Sequence, residues 1–141
     1  LANGVGLDTP QSLVEVLGAM RGAGYGIENM PDDVAVMMQL FQAGPTNALD
    51  ERGARPGGVS WRIANYQSAF AELPDNVQRA VEARWGGPAQ DPYVVNGCFR
   101  LGLHHFGNAV VGVQPARGYN IDPKGTYHDP DLVPPHHYLA F

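Results

Sequence analysis

The stretch Cys98-Phe99-Arg100-Leu101-Gly102-Leu103-His104-His105-Phe106-Gly107-Asn108-Ala109-Val110-Val111-Gly112-Val113 decides the fold class. Phe99, Leu101 and Leu103 alternate with polar or small residues, the period of a half-buried strand. Phe106-Gly107-Asn108 has turn chemistry, and 109–113 is an apolar run of strand length. The spacing predicts a β-hairpin over about 98–114. Its two histidines, His104 and His105, are strand neighbours, so they face opposite ways and cannot chelate one ion together.

Upstream of the hairpin the period is helical. Asp8 or Thr9 caps a first helix near 9–23, with Pro10 in its first turn and an apolar face of Leu13, Val14, Val16, Leu17 and Met20. Gly22-Ala23-Gly24 stops it. Tyr25-Gly26-Ile27 reads equally as strand or loop. A second helix, near 31–43, starts at Pro31-Asp32-Asp33 and is apolar nearly all round, which predicts a well-buried element. Residues 45–60, with Gly53, Pro56, Gly57 and Gly58, read as a linker or mobile loop. Helices near 60–72 and 75–85 follow, broken at Pro74, and form a helical hairpin. The fold class is therefore mixed α and β: helices packed on a small sheet with a β-hairpin, plus a helical-hairpin insertion. Three parts are expected: 1–44, helical; 45–92, loop and helical hairpin; 93–141, β-hairpin and an irregular motif loop.

Composition narrows the function classes. The 141 residues carry 9 Lys+Arg against 14 Asp+Glu, a formal net charge of −5 with no basic stripe, so nucleic-acid binding is not expected. Gly and Pro number 18 and 12, well above ordinary usage, while 44% apolar residues argue against wholesale disorder. The one cysteine, Cys98, makes no internal disulfide and reads as a small buried hydrophobe in a reducing, cytoplasmic setting. No apolar run approaches the ~20 residues of a membrane span. The chain opens at Leu1 and stops on the aromatic-apolar run ending at Phe141, which reads as a segment of a longer protein.

Chemistry is concentrated after the hairpin. Between 114 and 137 no period survives, and Gln114, Arg117, Tyr119, Asn120, Asp122, Lys124, Tyr127, His128, Asp129, Asp131, His136 and His137 crowd together. Long irregular loops leaving a buried strand are more often functional than idle. Each residue also has a bland reading: the paired histidines as helix caps, the Asp-Pro steps as turn starters, Arg117 in a salt bridge. His and carboxylates together suit a borderline divalent metal, yet no His-x-x-x-His or His-Glu-x-x-His spacing occurs. Walker A, Gly-x-Gly-x-x-Gly after a strand and Gly-x-Ser-x-Gly are absent too.

The run 114–124, Gln-Pro-Ala-Arg-Gly-Tyr-Asn-Ile-Asp-Pro-Lys, followed by 127–138, Tyr-His-Asp-Pro-Asp-Leu-Val-Pro-Pro-His-His-Tyr, closely resembles the large subunits of aerobic cobaltochelatases, within the CobN/magnesium-chelatase family. Gly6-Leu7-Asp8-Thr9-Pro10, 80–86 and 106–115 support the resemblance, which spans the whole chain. The resemblance implies an internal piece, on the order of a tenth, of a tetrapyrrole-binding subunit. It implies a ligase-type metal chelatase that inserts Co(II) into hydrogenobyrinic acid a,c-diamide in cobalamin biosynthesis. Cobalt is then substrate, and ATP is used by two smaller partner subunits, one a ring-forming ATPase, not bound here. The related magnesium branch, inserting Mg(II) into protoporphyrin IX, differs at Arg117 and at Asn120-Ile121. A third possibility is a non-catalytic module that docks a partner subunit through the helical hairpin. On the leading reading His136 and His137, shared by both metal branches, are the catalytic pair, at least one taking a macrocycle proton. Arg117, Tyr119, Asn120 and Gln114 are expected to bind substrate, and His128, Asp129 and Asp131 to handle the metal.

Overall fold

The computed structural model describes residues 8–47, 55–119, 129 and 131–141. Asn120 and His128, like 1–7 and 48–54, lie outside the described residues.

Helix α1 (Thr9–Gly22) starts where its chemistry requires. Asp8 accepts from the Gln11 N–H, and Pro10 occupies the first turn, where a missing N–H costs nothing. Val14 and Leu17 turn inward. Helix α2 (Val34–Gln42) begins later than 31 because Asp33 is its cap, its Oδ1 accepting from the Ala35 and Val36 N–H groups at 2.7 and 3.1 Å. Only Met37 and Phe41 of α2 are buried, while Val36 and Leu40 stay exposed. An all-apolar composition here does not mean burial all round. Tyr25-Gly26-Ile27 forms no strand, though Ile27 is buried.

The helix expected over 60–72 is corrected. Strand β1 (Val59–Arg62) precedes a shorter helix α3 (Ile63–Phe70). In β1, Val59 and Trp61 are half-buried and Ser60 and Arg62 exposed. A partner distant in sequence, β3 (Cys98–Leu101), aligns Trp61 with Phe99 and Val59 with Leu101. Pairing of apolar residues across strands outweighs the local helical period. Helix α4 (Asp75–Trp85) follows Pro74 as expected and ends at Gly86.

The single hairpin expected over 98–114 is corrected as well. Strand β2 (Val94–Val95) pairs with one edge of β3 and β1 with the other, all antiparallel, in the order β1-β3-β2. The β2–β3 turn is Asn96-Gly97, at φ 51° and 72°, the two positive values that a tight two-residue turn requires. Strands β4 (Leu103–Phe106) and β5 (Ala109–Gly112) form a separate hairpin. The chain crosses between the sheets at Gly102, where a Cβ would lie 2.8 Å from the Pro45 carbonyl.

Two apolar cores result. Val14, Leu17, Ile27, Met30, Met37, Phe41 and Phe106 form one, between α1, α2 and the β4–β5 hairpin. Tyr66, Phe70, Val81, Tyr93, Phe99, Leu101 and Ala140 form the other, which α5 (His136–Leu139) completes. The 45–60 stretch is not a free linker where it is described. Arg100 donates to the Arg55, Pro56 and Gly57 carbonyls at 3.2, 3.0 and 3.1 Å. Among the described residues no helix is long and apolar enough to cross a membrane.

Candidate functional site

Beyond β5 the ladder ends, and the motif backbone finds its partners elsewhere. The Asn47 side chain grips it at two points. Its Nδ2 donates to the Gln114 carbonyl and its Oδ1 accepts from the Ala116 N–H, both at 3.0 Å. The far end of the motif is bound to the near end: Gln114 Nε2 donates to the Tyr138 hydroxyl at 3.0 Å. Trp85 Nε1 donates to the Val133 carbonyl at 2.8 Å, and its indole lies 4.7 Å from the Tyr119 ring.

Asp91, only 3% exposed, is the second anchor. Its carboxylate accepts from the backbone N–H groups of Tyr93 and His137, each at 2.9 Å, and from the Tyr119 hydroxyl at 3.4 Å. The bond from His137 satisfies an orphan donor in the first turn of α5, whose N-cap Pro135 offers no side-chain acceptor. The histidines therefore do not cap the helix; Asp91 does so from across the fold. Burial, then the Asp91 charge, raises the Tyr66 pKa. Burial, the Asp91 charge and the bond to it raise that of Tyr119 too, so both phenols stay protonated.

His136 is fully buried, at 0% exposure. Its Nε2 lies 2.9 Å from the Gly86 carbonyl, which can only accept, so this nitrogen carries the proton. Nδ1 then accepts from the Tyr66 hydroxyl at 2.9 Å. Phe70 meets the ring edge-to-face at 4.8 Å. His137, 5% exposed, stacks on Tyr93 at 3.9 Å and 10°. Its Nε2 faces the Arg100 carbonyl at 3.4 Å. Burial lowers the His137 pKa, with the Asp91 charge and the Arg100 carbonyl opposing. The expected arrangement, imidazoles presenting a free nitrogen to substrate, is thus not what the fold displays: His136 has both nitrogens engaged, and both rings are interior.

Other expected residues sit at the surface or rim. Arg117 is half-buried, makes one long bond to the Leu132 carbonyl at 3.4 Å, and meets no carboxylate among the described residues. Gln114 is exposed, and Tyr119 and Tyr138 are half-buried. Asp129 and Asp131 are exposed, tied by the Asp131 N–H to the Asp129 carboxylate at 2.9 Å. Among the described residues no three His, Cys, Asp or Glu converge as a metal site. His104 is buried at 6% and His105 exposed, as strand alternation requires. Cys98 is a half-buried free thiol. The spacing did not reveal Asn47, Asp91, Tyr66 or Tyr93, because their partners lie tens of residues away in the chain. A helix that opens after Pro135 leaves orphan N–H groups, and that is the one local signal that a distant acceptor is needed.

The sequence profile described as CobN/Magnesium Chelatase matches residues 1–141. Over 141 residues the chain is 49% identical to the aerobic cobaltochelatase subunit CobN of a Sinorhizobium species, and 43% identical to that of Pseudomonas aeruginosa. All of this chain aligns in each case, covering 11% of the relative. The fold matches part of a solved structure, the catalytic subunit of cobaltochelatase from Mycobacterium tuberculosis. The TM-score is 0.74 at 36% identity, over 99% of this chain and 12% of that one. The chain belongs to the CobN/magnesium chelatase family, and it spans about a tenth of the length of these relatives.

Proposed function

We propose that this chain frames part of the tetrapyrrole site in the large subunit of a cytoplasmic, ATP-dependent cobaltochelatase. The substrate on this reading is hydrogenobyrinic acid a,c-diamide, and Co(II) is the metal inserted. ATP is consumed by two smaller partner subunits, one a ring-forming ATPase. The observation that carries the reading is Arg117: a half-buried guanidinium on the motif, without a carboxylate partner among the described residues. Corrin-type rings carry peripheral carboxylates, and a planar fork of donors suits them. Gln114 adds a second amide hydrogen, Tyr119 adds an aromatic ring whose hydroxyl is held by Asp91, and Asn120 follows in sequence. The names of the relatives favour cobalt over magnesium.

The exposed Asp129 and Asp131, with His128, are the groups proposed to meet the hydrated ion. The cavity beside the start of the motif, about 250 Å³ and lined by Met38, Phe41, Gln42, Thr46, Asn47 and Val113, is smaller than the ~300–1,000 Å³ of an ordinary ligand cavity. Enclosing a macrocycle on this reading therefore takes surfaces from the rest of the subunit. His136 and His137 are proposed to act by holding the motif, since a proton taken by His136 would first require breaking its bond from Tyr66.

The test is made on the reconstituted full-length enzyme with both partner subunits. Arg117→Ala is expected to raise the KM for the corrin substrate at least tenfold, the scale of a charge-assisted bond, with kcat changed much less. An unchanged KM contradicts the reading.

A further inference from the structure

We propose that Asn47, on the segment after α2, is a positioning residue for substrate recognition. It fixes where the motif leaves β5, and so where Arg117 and Tyr119 reach. The inference rests on the reading that the motif binds the tetrapyrrole.

The β4–β5 ladder stops at Leu103 opposite Gly112, with one more bond from the Val113 N–H to the Gly102 carbonyl at 2.8 Å. Among the described residues, the backbone from Gln114 to Tyr119 pairs with no strand. Asn47 takes that place, donating to residue 114 and accepting from residue 116, as a neighbouring strand would. The two bonds dictate the amide orientation, because a carbonyl only accepts and an N–H only donates.

Asn47 is itself held. The Tyr93 hydroxyl donates to the Asn47 carbonyl at 3.0 Å, and the Tyr93 ring carries His137 stacked on it. His137 adjoins Tyr138, whose hydroxyl accepts from Gln114. The contacts close a circuit through Asn47, Gln114, Tyr138, His137 and Tyr93, joining both ends of the motif. Asn47 is exposed, so its bonds add little to global stability and their two-point geometry serves placement. Among the close alternatives, Asp lacks the donor, Ser spans one bond, and Gln is a methylene too long.

The experiment titrates the full-length subunit with hydrogenobyrinic acid a,c-diamide between about pH 7.5 and pH 4, a range that reaches the ordinary aspartate value of about 3.9, each variant normalised to wild type at the same pH. Asn47→Ala is expected to raise Kd about three- to tenfold at every pH, the worth of one or two hydrogen bonds. Asn47→Asp is expected to lose as much near pH 7.5 and to regain affinity on acidification. Once protonated, the introduced carboxyl donates its O–H to the Gln114 carbonyl while its other oxygen accepts from the Ala116 N–H. That recovery within one sample also shows an intact fold, and a merely structural side chain would not produce it. Arg117→Ala runs alongside as the test of the underlying reading. Weakened binding in Arg117→Ala with wild-type Kd in both Asn47 variants overturns the positioning role alone. So does a loss in Asn47→Asp that is equal at every pH. Wild-type Kd in Arg117→Ala overturns the underlying reading, and the positioning role with it.

Discussion

His104 and His137 are both neutral imidazoles in the interior. His104 lies against Phe41, ring centres 4.9 Å apart, with no hydrogen-bond partner for its Nε2 among the described residues. Burial holds both below the ordinary histidine value of 6.5. The consequence for stability has a definite sign. Below about pH 6.5 the unfolded chain takes up protons that the folded chain refuses, so unfolding is favoured by acid. Stability is full above pH 6.5, and it falls as pH drops through that value toward the lowered folded ones. Urea unfolding of the chain at a series of pH values is expected to show a midpoint that declines from pH 7 to pH 5. His104→Leu should flatten part of that decline. A midpoint that is level or rises on acidification contradicts it. At this scale the sequence was partly legible. Alternation set His104 and His105 on opposite faces without saying which lies inside, and Asp8 was evident with Thr9 as a candidate cap. Asp91 was not, because it caps α5 from 46 residues away.

Among the elements, His136 joins three helices. It belongs to α5, accepts from Tyr66 on α3, and donates to Gly86 at the end of α4. Removing the imidazole leaves a void beside Phe70 and strands both partners. His136→Ala is expected to cost about 3 kcal/mol, the cavity and the unpaired polar groups acting together. Denaturant unfolding of the variant measures this, and a loss under about 0.5 kcal/mol contradicts the role. The helices with local caps and stops, α1 and α4, were readable from the sequence. Elements decided by distant pairing were not. Ser60 to Arg62 fits a helical period until Trp61 finds Phe99 across the sheet. The alternation of Phe99, Leu101 and Leu103 runs straight through Gly102, concealing the place where the chain changes sheets. The turn signal Asn96-Gly97 was present in the sequence, but the strand before it is only two residues long.

Across the whole molecule, the chain passes from one sheet to the other at Gly102, and the motif is tied to both halves: to the segment after α2 through Asn47, and to the aromatic core through Asp91 and His136. The motif stood out in the sequence as a density of chemical groups and as a family resemblance. Its division into an interior set, His136 and His137, and a rim set, Gln114, Arg117 and Tyr119, depends on tertiary contacts that no spacing encodes. The most direct test of the central claim is the structure of the full-length subunit with its tetrapyrrole bound. The expected result places a peripheral carboxylate of the macrocycle within hydrogen-bond distance of the Arg117 guanidinium, with His136 still bonded to Tyr66 and Gly86. A macrocycle seated away from residues 114–138 contradicts it.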